Sequence, residues 1–517
     1  MSNKKGIFGS VSYVMIIMIL SRLLALVSTQ VYMSFYGADN LELNIYSYAI
    51  AIPNTIFNCF GTALSTVFIP IYAGHLAKGE DAKAARFANN IITISSVFTA
   101  ALIFIGIALS PVLPKLTSFD SGEGYSFAVK ALMIMMPVML FYGLNYIFQG
   151  ILQSNGKFGW PAFVSVPSSL VVISYVFVLG DKYGVTGLLA ATFIGLSLQA
   201  IILIPPAIKA GFRYKPSFGL KDADVINAGK MTLPVLIGVS AYQFNMFFNT
   251  TMIARFDGMV TLLTFVQNIV VYMVLAFVYS VTAVVYPKLT ASAAEGKMDE
   301  YKNTLTSVLS STLTLLVPVT FGFMTVRKPM LQLISNYGKI TDTDIEKAGL
   351  LVLMYSIGII GVGSKEILDR AFYALKDTKF PAINGFIIMG VNVVLSLSLT
   401  NVIGAYGIPL AYSIASLTGL CVLLFALRKK IGQYCKGLGK NFIKCLLSGV
   451  IMAAVVIAAN FGLDSVLTAD TLLTRIVKLG VPVCVGVAVY AVMVIMLRVD
   501  AVNSIVATVK CKLFKKA

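Results

Sequence analysis

Apolar residues in this chain come in long unbroken runs, not in the alternation of a half-buried strand. A spanning helix needs roughly 20 mostly apolar residues, and fourteen runs of about that length or more can be drawn. Their approximate limits are 10–37, 44–74, 87–114, 126–152, 160–180, 185–208, 231–256, 260–287, 304–332, 346–375, 381–402, 406–428, 442–463 and 474–498. The pattern predicts an all-α polytopic membrane protein with 14 transmembrane helices. Several runs are longer than a bilayer requires, which implies tilt or extension beyond it. The first run is too long for a signal-peptide core and no small-residue cleavage site follows it, so it reads as a span. An even number of spans puts both termini on one side.

Composition agrees with the pattern. The 517 residues are 58% hydrophobic and 12% charged, with mean hydropathy +0.87, which leaves too little polar surface for a soluble chain of this length. Charge then orients the spans. With the N-terminus inside, 27 of the 40 lysines and arginines fall in inner segments and ten in outer ones. The positive-inside rule therefore places both termini in the cytoplasm. The net charge of +18 becomes a consequence of topology and of attraction to anionic inner-leaflet lipid, not a sign of nucleic-acid binding. Six cysteines (Cys59, Cys421, Cys435, Cys445, Cys484, Cys511) form no CxxC pair, and His75 is the single histidine. Neither a disulfide framework, a zinc site nor a His-based triad is expected.

The runs also repeat. "VFIPIYAGHLAKGE" at 67–80 resembles "VVYPKLTASAAEGK" at 284–297, with Pro70 and Gly79 against Pro287 and Gly296, an offset of 217. "FQGILQSNGKFGWPAF" resembles "DRAFYALKDTKFPAI", with Pro161 and Pro381 offset by 220. "YGVTGLLAATFIG" resembles "YGIPLAYSIASLTG", pairing Gly184 with Gly407 at 223, and the ends of spans 1 and 7 pair Gly37 with Gly258 at 221. An offset near 220 carries span 1 onto span 7 with the same orientation. The expected architecture is two six-helix lobes related by a parallel pseudo-twofold repeat, plus two extra C-terminal helices. Residues 1–210 make the N-lobe, 211–430 the C-lobe, and 431–517 helices 13 and 14 with a basic cytoplasmic tail. In repeat-built transporters the site lies between the halves, opening alternately to each side.

Few charges lie inside the spans. Arg22 sits mid-span in "ILSRLLALV", where an arginine costs at least about 2.5–3.5 kcal/mol on insertion scales. Its neighbours three and four residues away are Met18, Ile19, Ala25 and Leu26, so its own helix offers no partner. It is either a structural arginine bonded to another helix or an anion ligand in a water-filled cavity, with Ser28 and Thr29 as a polar continuation. In "GSKEILDRAFYALKD", Lys365 and Asp369 are four apart, as are Glu366 and Arg370, which predicts two ion pairs, either self-neutralising or part of a gate. Amides recur at Asn44, Asn54, Asn58, Asn145, Gln149, Gln153, Gln243, Asn245, Asn249, Gln267, Asn268 and Asn392. Singly they read as helix–helix glue. Together they suit a hydrophilic cavity for sugar hydroxyls or peptide groups. Pro53, Pro70, Pro234 and Pro318 interrupt spans and offer points of bending. No P-loop, triad or metal constellation occurs, so the energy source is expected to be the membrane potential, a monovalent cation gradient or the substrate gradient. The chain is not expected to be an enzyme or to need a cofactor.

"ILSRLLALV", "AIPNTIFNCFGTALSTVFIPIYA", "LPVLIGVSAYQFNMFFNT", "YSIGIIGVGSKEILDRAFYALKDTKFP" and "GAYGIPLAYSIASLTG" resemble the MurJ (MviN) family of lipid II flippases over about residues 10–430. The resemblance implies the multidrug/oligosaccharidyl-lipid/polysaccharide exporter fold. It implies an undecaprenyl-pyrophosphate-linked peptidoglycan precursor moved from inner to outer leaflet by alternating access, and C-terminal helices forming a groove for the lipid tail. It also implies a bacterial cytoplasmic membrane location, with cell-wall synthesis proteins as candidate partners beside membrane lipid. The family's helix 1 arginine matches Arg22. A later basic–acidic pair falls on Ser28 and Thr29, the acid opening helix 2 on Asn44, and arginines after "PN" near Phe57 and Asn58. The helix 8 arginine falls about Asn268, beside Gln267, with the acid one turn on about Val271. The cation site of some members falls on Asn249, Asn392 and Ser396, without a carboxylate. The candidate substrate-binding set is thus Arg22, Ser28, Thr29, Asn44, Asn54, Asn58, Gln267 and Asn268. The frame is that of the family, while most cavity charges are replaced by amides and hydroxyls. Three other readings stand beside it. They are a flippase for another polyprenyl-linked glycan, a cation or drug antiporter, and a non-transporting scaffold that binds lipid-linked precursor.

Overall fold

The computed structural model describes residues 2–335, 338–434, 437–467 and 471–499, with the side chains of 2–16, 18, 19, 283 and 335 left aside. Cys435, Cys511 and the basic tail "VKCKLFKKA" lie outside the described residues. Helix follows helix: α1 Ser2–Tyr36, α2 Leu41–Ala77, α3 Asp81–Leu109, α4 Gly122–Met135, α5 Val138–Ser154, α6 Gly159–Phe163, α7 Ser165–Ile201, α8 Ile204–Lys209 and α9 Ala223–Ile253. There follow α10 Met259–Gln267, a π-helical turn Asn268–Tyr272, α11 Met273–Ala294, α12 Met298–Ser335, α13 Asp342–Ala374, α14 Lys379–Ile403, α15 Gly407–Ile431, α16 Leu438–Val466 and α17 Leu472–Met496.

Among the described residues, eleven helical stretches are long and apolar enough to cross a membrane. Two of them, Gly159–Lys209 and Lys379–Ile431, hold 51 and 53 residues, more than twice what one bilayer crossing takes. Gly184 (φ 55°) and Gly404 (φ 61°) break them, where the hydrophobic pattern predicts the junctions of spans 5 with 6 and 11 with 12. That backbone conformation is open to glycine and costly for a side chain. Many large apolar side chains are exposed, among them Phe104 76%, Phe177 71%, Phe461 74% and Val402 79% accessible. Facing hydrocarbon, such residues need no further burial, while the backbone amides of the helix interiors are satisfied within their own helix. The helices run on through Pro53, Pro70, Pro234 and Pro318. Those prolines are absorbed within single helices and end none of them.

The repeat is written in the turns. Left-handed residues recur in pairs: Gly37 with Gly258, Gly79 with Gly296, Gly122 with Gly338, Gly156 with Lys376, Gly184 with Gly404, and Gly211 with Gly432. The offsets run from 216 to 221. One sequence landmark needs correction. Gly184 corresponds to Gly404, not to Gly407, because Gly407 has φ −62° and only Gly404 takes up the turn that ends α14.

By packing, the chain divides into two compact units, Met1–Phe265 and Val266–Ala517. This boundary falls later than the repeat boundary because α9, the first helix of the second repeat, lies along α2. The Cys59 thiol and Ser240 hydroxyl meet at 3.2 Å, and the Ser47 and Thr261 hydroxyls at 2.9 Å. In the first unit α2 is central. Phe68 stacks on Tyr72 and on Phe87, at 5.3 and 5.5 Å between ring centroids. The segment after α8 returns over α3, where Asn89 Oδ1 accepts from Lys215 N, and Asn90 Oδ1 accepts from Ser217 Oγ and Gly219 N.

In the second unit α13 is central, between α12 and α15. Gly358 and Gly361 let its backbone approach α15 so closely that an added Cβ would lie 2.7 Å from Ser413 Cα or 2.8 Å from Leu417 N. Small residues are how helices gain packing contact where lipid removes the hydrophobic drive to associate. α16 and α17 pack on α12. Tyr490 Oη donates to Thr314 O at 2.8 Å and Asn460 Nδ2 to Thr325 O at 3.1 Å.

Candidate functional site

Arg22 lies on α1, and α1 is anchored by Ser21, whose buried hydroxyl donates to Ala162 O at 3.0 Å. The buried face of α1 carries Ser21, Ser28, Thr29, Tyr32 and Met33, the spacing expected of one face at 100° per residue. Leu20, Leu23 and Val27 are exposed and form the lipid-matched stripe. On the same wheel Arg22 falls about 100–160° from those three and about 20° from Thr29. Its side chain is exposed, and it has no hydrogen-bond or ion-pair partner among the described residues. Among the described residues, Arg22 makes no bond to another helix. Ser28 and Thr29 are packed, and Thr29 Oγ1 donates to Ala25 O within its own helix. They do not extend an open polar surface from Arg22.

Asn44 does something other than line a cavity. It is 1% exposed. Its Nδ2 donates to Ala38 O at 2.7 Å and Asn40 O at 2.9 Å, and its Oδ1 accepts from Thr261 N at 3.1 Å. Both ends of the amide are spent on backbone, so Asn44 is a bracket joining the α1–α2 turn to α10. Asn44→Ala would leave a buried N–H without an acceptor. That costs about 1–3 kcal/mol and is expected as a lowered melting temperature in detergent, read by tryptophan-independent thermal unfolding assays.

Asn54 and Asn58 form a polar ladder with two tyrosines of α5. Asn58 Nδ2 donates to Asn54 Oδ1, Tyr146 Oη donates to Asn58 Oδ1 at 2.8 Å, and Asn54 Nδ2 reaches Tyr142 Oη at 3.4 Å. All four are half-buried. The tyrosines were not legible as partners in the sequence, although their i, i+4 spacing matches that of the asparagines. In the second unit Gln267 Nε2 donates to Tyr355 Oη at 2.7 Å. Asn268 opens the π-helical turn, a local widening that occurs frequently at functional sites. Asn249 is fully buried in the first unit. Asn392 and Ser396, four apart on α14, are fully buried in the second.

The charged quartet of α13 departs from expectation. Lys365 Nζ donates to Asp369 Oδ2 at 2.6 Å, as the spacing predicts. Glu366 and Arg370 do not pair. The Arg370 guanidinium lies 6.0 Å from the Tyr286 ring centroid and 5.9 Å from that of Tyr373, an alternative that tyrosine faces offer a cation. Glu366 has no hydrogen-bond or ion-pair partner among the described residues.

As the single histidine of the chain, His75 has no histidine companion for a metal site or triad. The structure puts Glu80 Oε2 2.9 Å from its Nδ1 and Asp224 Oδ2 2.9 Å from its Nε2. The ring bridges the α2–α3 turn and the start of α9. Lys83 and then His75 hold the Glu80 carboxyl down to about 2. Glu80 and Asp224 are 144 positions apart, so no local pattern could show this. Elsewhere burial pushes the Asp377 carboxyl up, but the hydrogen bonds from Lys430 and from the amides of Phe380 and Lys379 outweigh it and leave it below the usual carboxylate range.

Comparison with known proteins adds the following. The sequence profile of a family described as "Lipid II flippase MurJ" matches residues 34–483. A protein of Vibrio cholerae named "Probable lipid II flippase MurJ" is 26% identical over 420 residues, covering 78% of this chain and 80% of that protein. A solved structure titled "Lipid II flippase MurJ, inward closed conformation" superposes with a TM-score of 0.78 at 24% identity, covering 93% of this chain and 98% of that one. An inward-facing multidrug resistance transporter of the MATE family superposes with a TM-score of 0.65 at 14% identity, over 82% and 99% of the two chains.

Proposed function

This chain belongs to the lipid II flippase MurJ family, and on that premise we propose how it handles its substrate. It is a multi-pass membrane transporter of a lipid-linked peptidoglycan precursor, not an enzyme. In our reading it resides in the bacterial cytoplasmic membrane with both termini inside, and moves lipid II from the inner to the outer leaflet by alternating access of two six-helix lobes. Arg22 binds the pyrophosphate. A guanidinium offers a planar fork that matches two phosphate oxygens, and an unpaired intramembrane arginine is a functional group by default. The exposed, unpartnered position of Arg22, off the lipid-facing stripe of α1, carries this reading. The half-buried ladder of Asn54, Asn58, Tyr142 and Tyr146 supplies donors and acceptors for sugar or peptide. The work is driven by the membrane potential or a cation gradient, and cell-wall synthesis proteins are the natural neighbours.

The test is complementation. Expressed in cells whose own flippase can be shut off, this chain is expected to restore growth and to bring lipid II to the outer leaflet, where an externally added lipid II-cleaving colicin can reach it. Normal expression with lipid II still protected from the colicin would sink the reading. Accumulation of a different polyprenyl-linked glycan on depletion in the native host would redirect it to that glycan.

A further inference from the structure

Glu366 stands out among the intramembrane charges because its sequence partner is occupied elsewhere. Arg370 sits against Tyr286 and Tyr373. Lys365 is committed to Asp369 Oδ2 at 2.6 Å. Among the described residues Glu366 is left as a half-buried carboxyl without a donor or an ion-pair partner. One turn on, Asp369 is 94% buried, and its Oδ1 also lacks a hydrogen-bond partner. At i and i+3 the two carboxyls share a face of α13. Two acceptors at one place, Glu366 and the second oxygen of Asp369, with no donor to either among the described residues, call for a cationic species to complete them.

On the transport function proposed above, we infer that Glu366 is a proton-binding site of the transport cycle, loaded from one side of the membrane and unloaded to the other. A metal cation is disfavoured because the Lys365 ammonium is already bound at Asp369, and a second fixed positive charge beside it would be repelled. A proton meets no such obstacle, since it joins the carboxyl that no donor contacts among the described residues and makes it neutral. The groups that act electrostatically on Glu366 are Lys365, Asp369 and Arg370 of its own helix. Tyr373 of α13, Tyr279 of α11 and Tyr412 of α15 interact with it as well. Tyr286 of α11 reaches the quartet through Arg370, and Tyr272 of the π-helical turn neighbours Tyr279 and Tyr412.

The charge arithmetic gives the site a use. With Glu366 ionised the quartet is neutral. With Glu366 protonated, Lys365 and Arg370 outweigh Asp369 by one positive charge. A substrate carrying a pyrophosphate is favoured by the second state wherever it lies in the same field. By reciprocity, binding of that substrate favours uptake of the proton. Release of the proton on the opposite side then weakens the hold on the substrate there. The step breaks no covalent bond other than that of the carried proton, which the bulk aqueous phases supply and accept.

The full-length protein in proteoliposomes tests this, with fluorescent lipid II as substrate, pyranine trapped inside, and the potential held at one fixed inside-negative value by valinomycin and a constant potassium gradient. The wild type is expected to change its initial rate by up to about tenfold per pH unit, the limit for one proton, and to show a pyranine signal that depends on lipid II. Glu366→Gln is expected to have a flat pH profile and no pyranine signal. Glu366→Asp keeps the acid and is expected to keep the slope with a displaced midpoint. A wild type that translocates lipid II with a flat profile and silent pyranine overturns the proposal, as does Glu366→Gln with the wild-type slope, whereas a wild type that translocates no lipid II at any pH overturns the proposed function instead. Should Glu366→Gln fail to fold, Glu366→Asp decides, since an unchanged midpoint would show that another group titrates.

Discussion

Arg22→Ala is expected to abolish complementation of a flippase-depleted cell while leaving the protein as stable as the wild type, or more so. The two halves of that result come from the same fact. Arg22 has no hydrogen-bond or ion-pair partner among the described residues, so removing it breaks no polar contact there. It also relieves an insertion cost of at least about 2.5–3.5 kcal/mol. Its hydrogen bonds to a charged oxygen would contribute about 1.5–3 kcal/mol, so their loss is expected to lower the translocation rate about 10- to 150-fold. Arg22→Lys keeps the charge but loses the planar fork and should fall between. Melting temperature in detergent and lipid II flux in proteoliposomes separate the two effects. A variant that loses stability and activity together would make Arg22 a structural residue. One that loses neither would remove it from the substrate path.

Gly361→Leu is the second large effect, and here stability itself is the readout. A Cβ at 361 would meet backbone of α15, at 2.8 Å from Leu417 N and Ser416 C. Backbone in the middle of a packed helix cannot step aside as a flexible side chain can. α13 and α15 must move apart, and Ser413 Oγ, which donates to Met354 O at 2.6 Å, is drawn away with them. Overpacking of this kind costs about 1–3 kcal/mol and occasionally more. The upper end is expected, seen as a large drop in melting temperature and in the amount of protein recovered from membranes. Gly390→Leu is the control. It makes the same change on α14 at a position with nothing within 4 Å, and it should be tolerated. If both variants behave alike, close packing of α13 on α15 is not what Gly361 provides.

Much of the fold was legible because the bilayer enforces it. Hydrocarbon demands long apolar helices, so the spans could be drawn from apolar runs alone, and the breaks at Gly184 and Gly404 fall between them as drawn. The repeat was legible through proline and glycine because turns constrain backbone and so constrain residue type. Even there one landmark slipped by three residues. "GAYG" offers two glycines, and only the backbone tells that Gly404 and not Gly407 takes the left-handed turn. The site was legible in part. Arg22 announced itself by its cost. The Lys365–Asp369 pair followed from spacing on one helix.

Where spacing offered two equal pairs, it could not foresee that Arg370 would prefer the rings of Tyr286 and Tyr373 and leave Glu366 alone. Asn44 looked like Asn54 and Asn58, all amides in an apolar run. Its role as a bracket depends on Thr261, 217 positions away, and theirs as a ladder on Tyr142 and Tyr146 of another helix. The sequence alone determined the helices, their faces and the family, because those follow from local periodicity and from residue types that backbone and bilayer dictate. The tertiary structure decided which polar groups are spent and which remain available, because a helix face is fixed by the chain while what it meets is fixed only by packing.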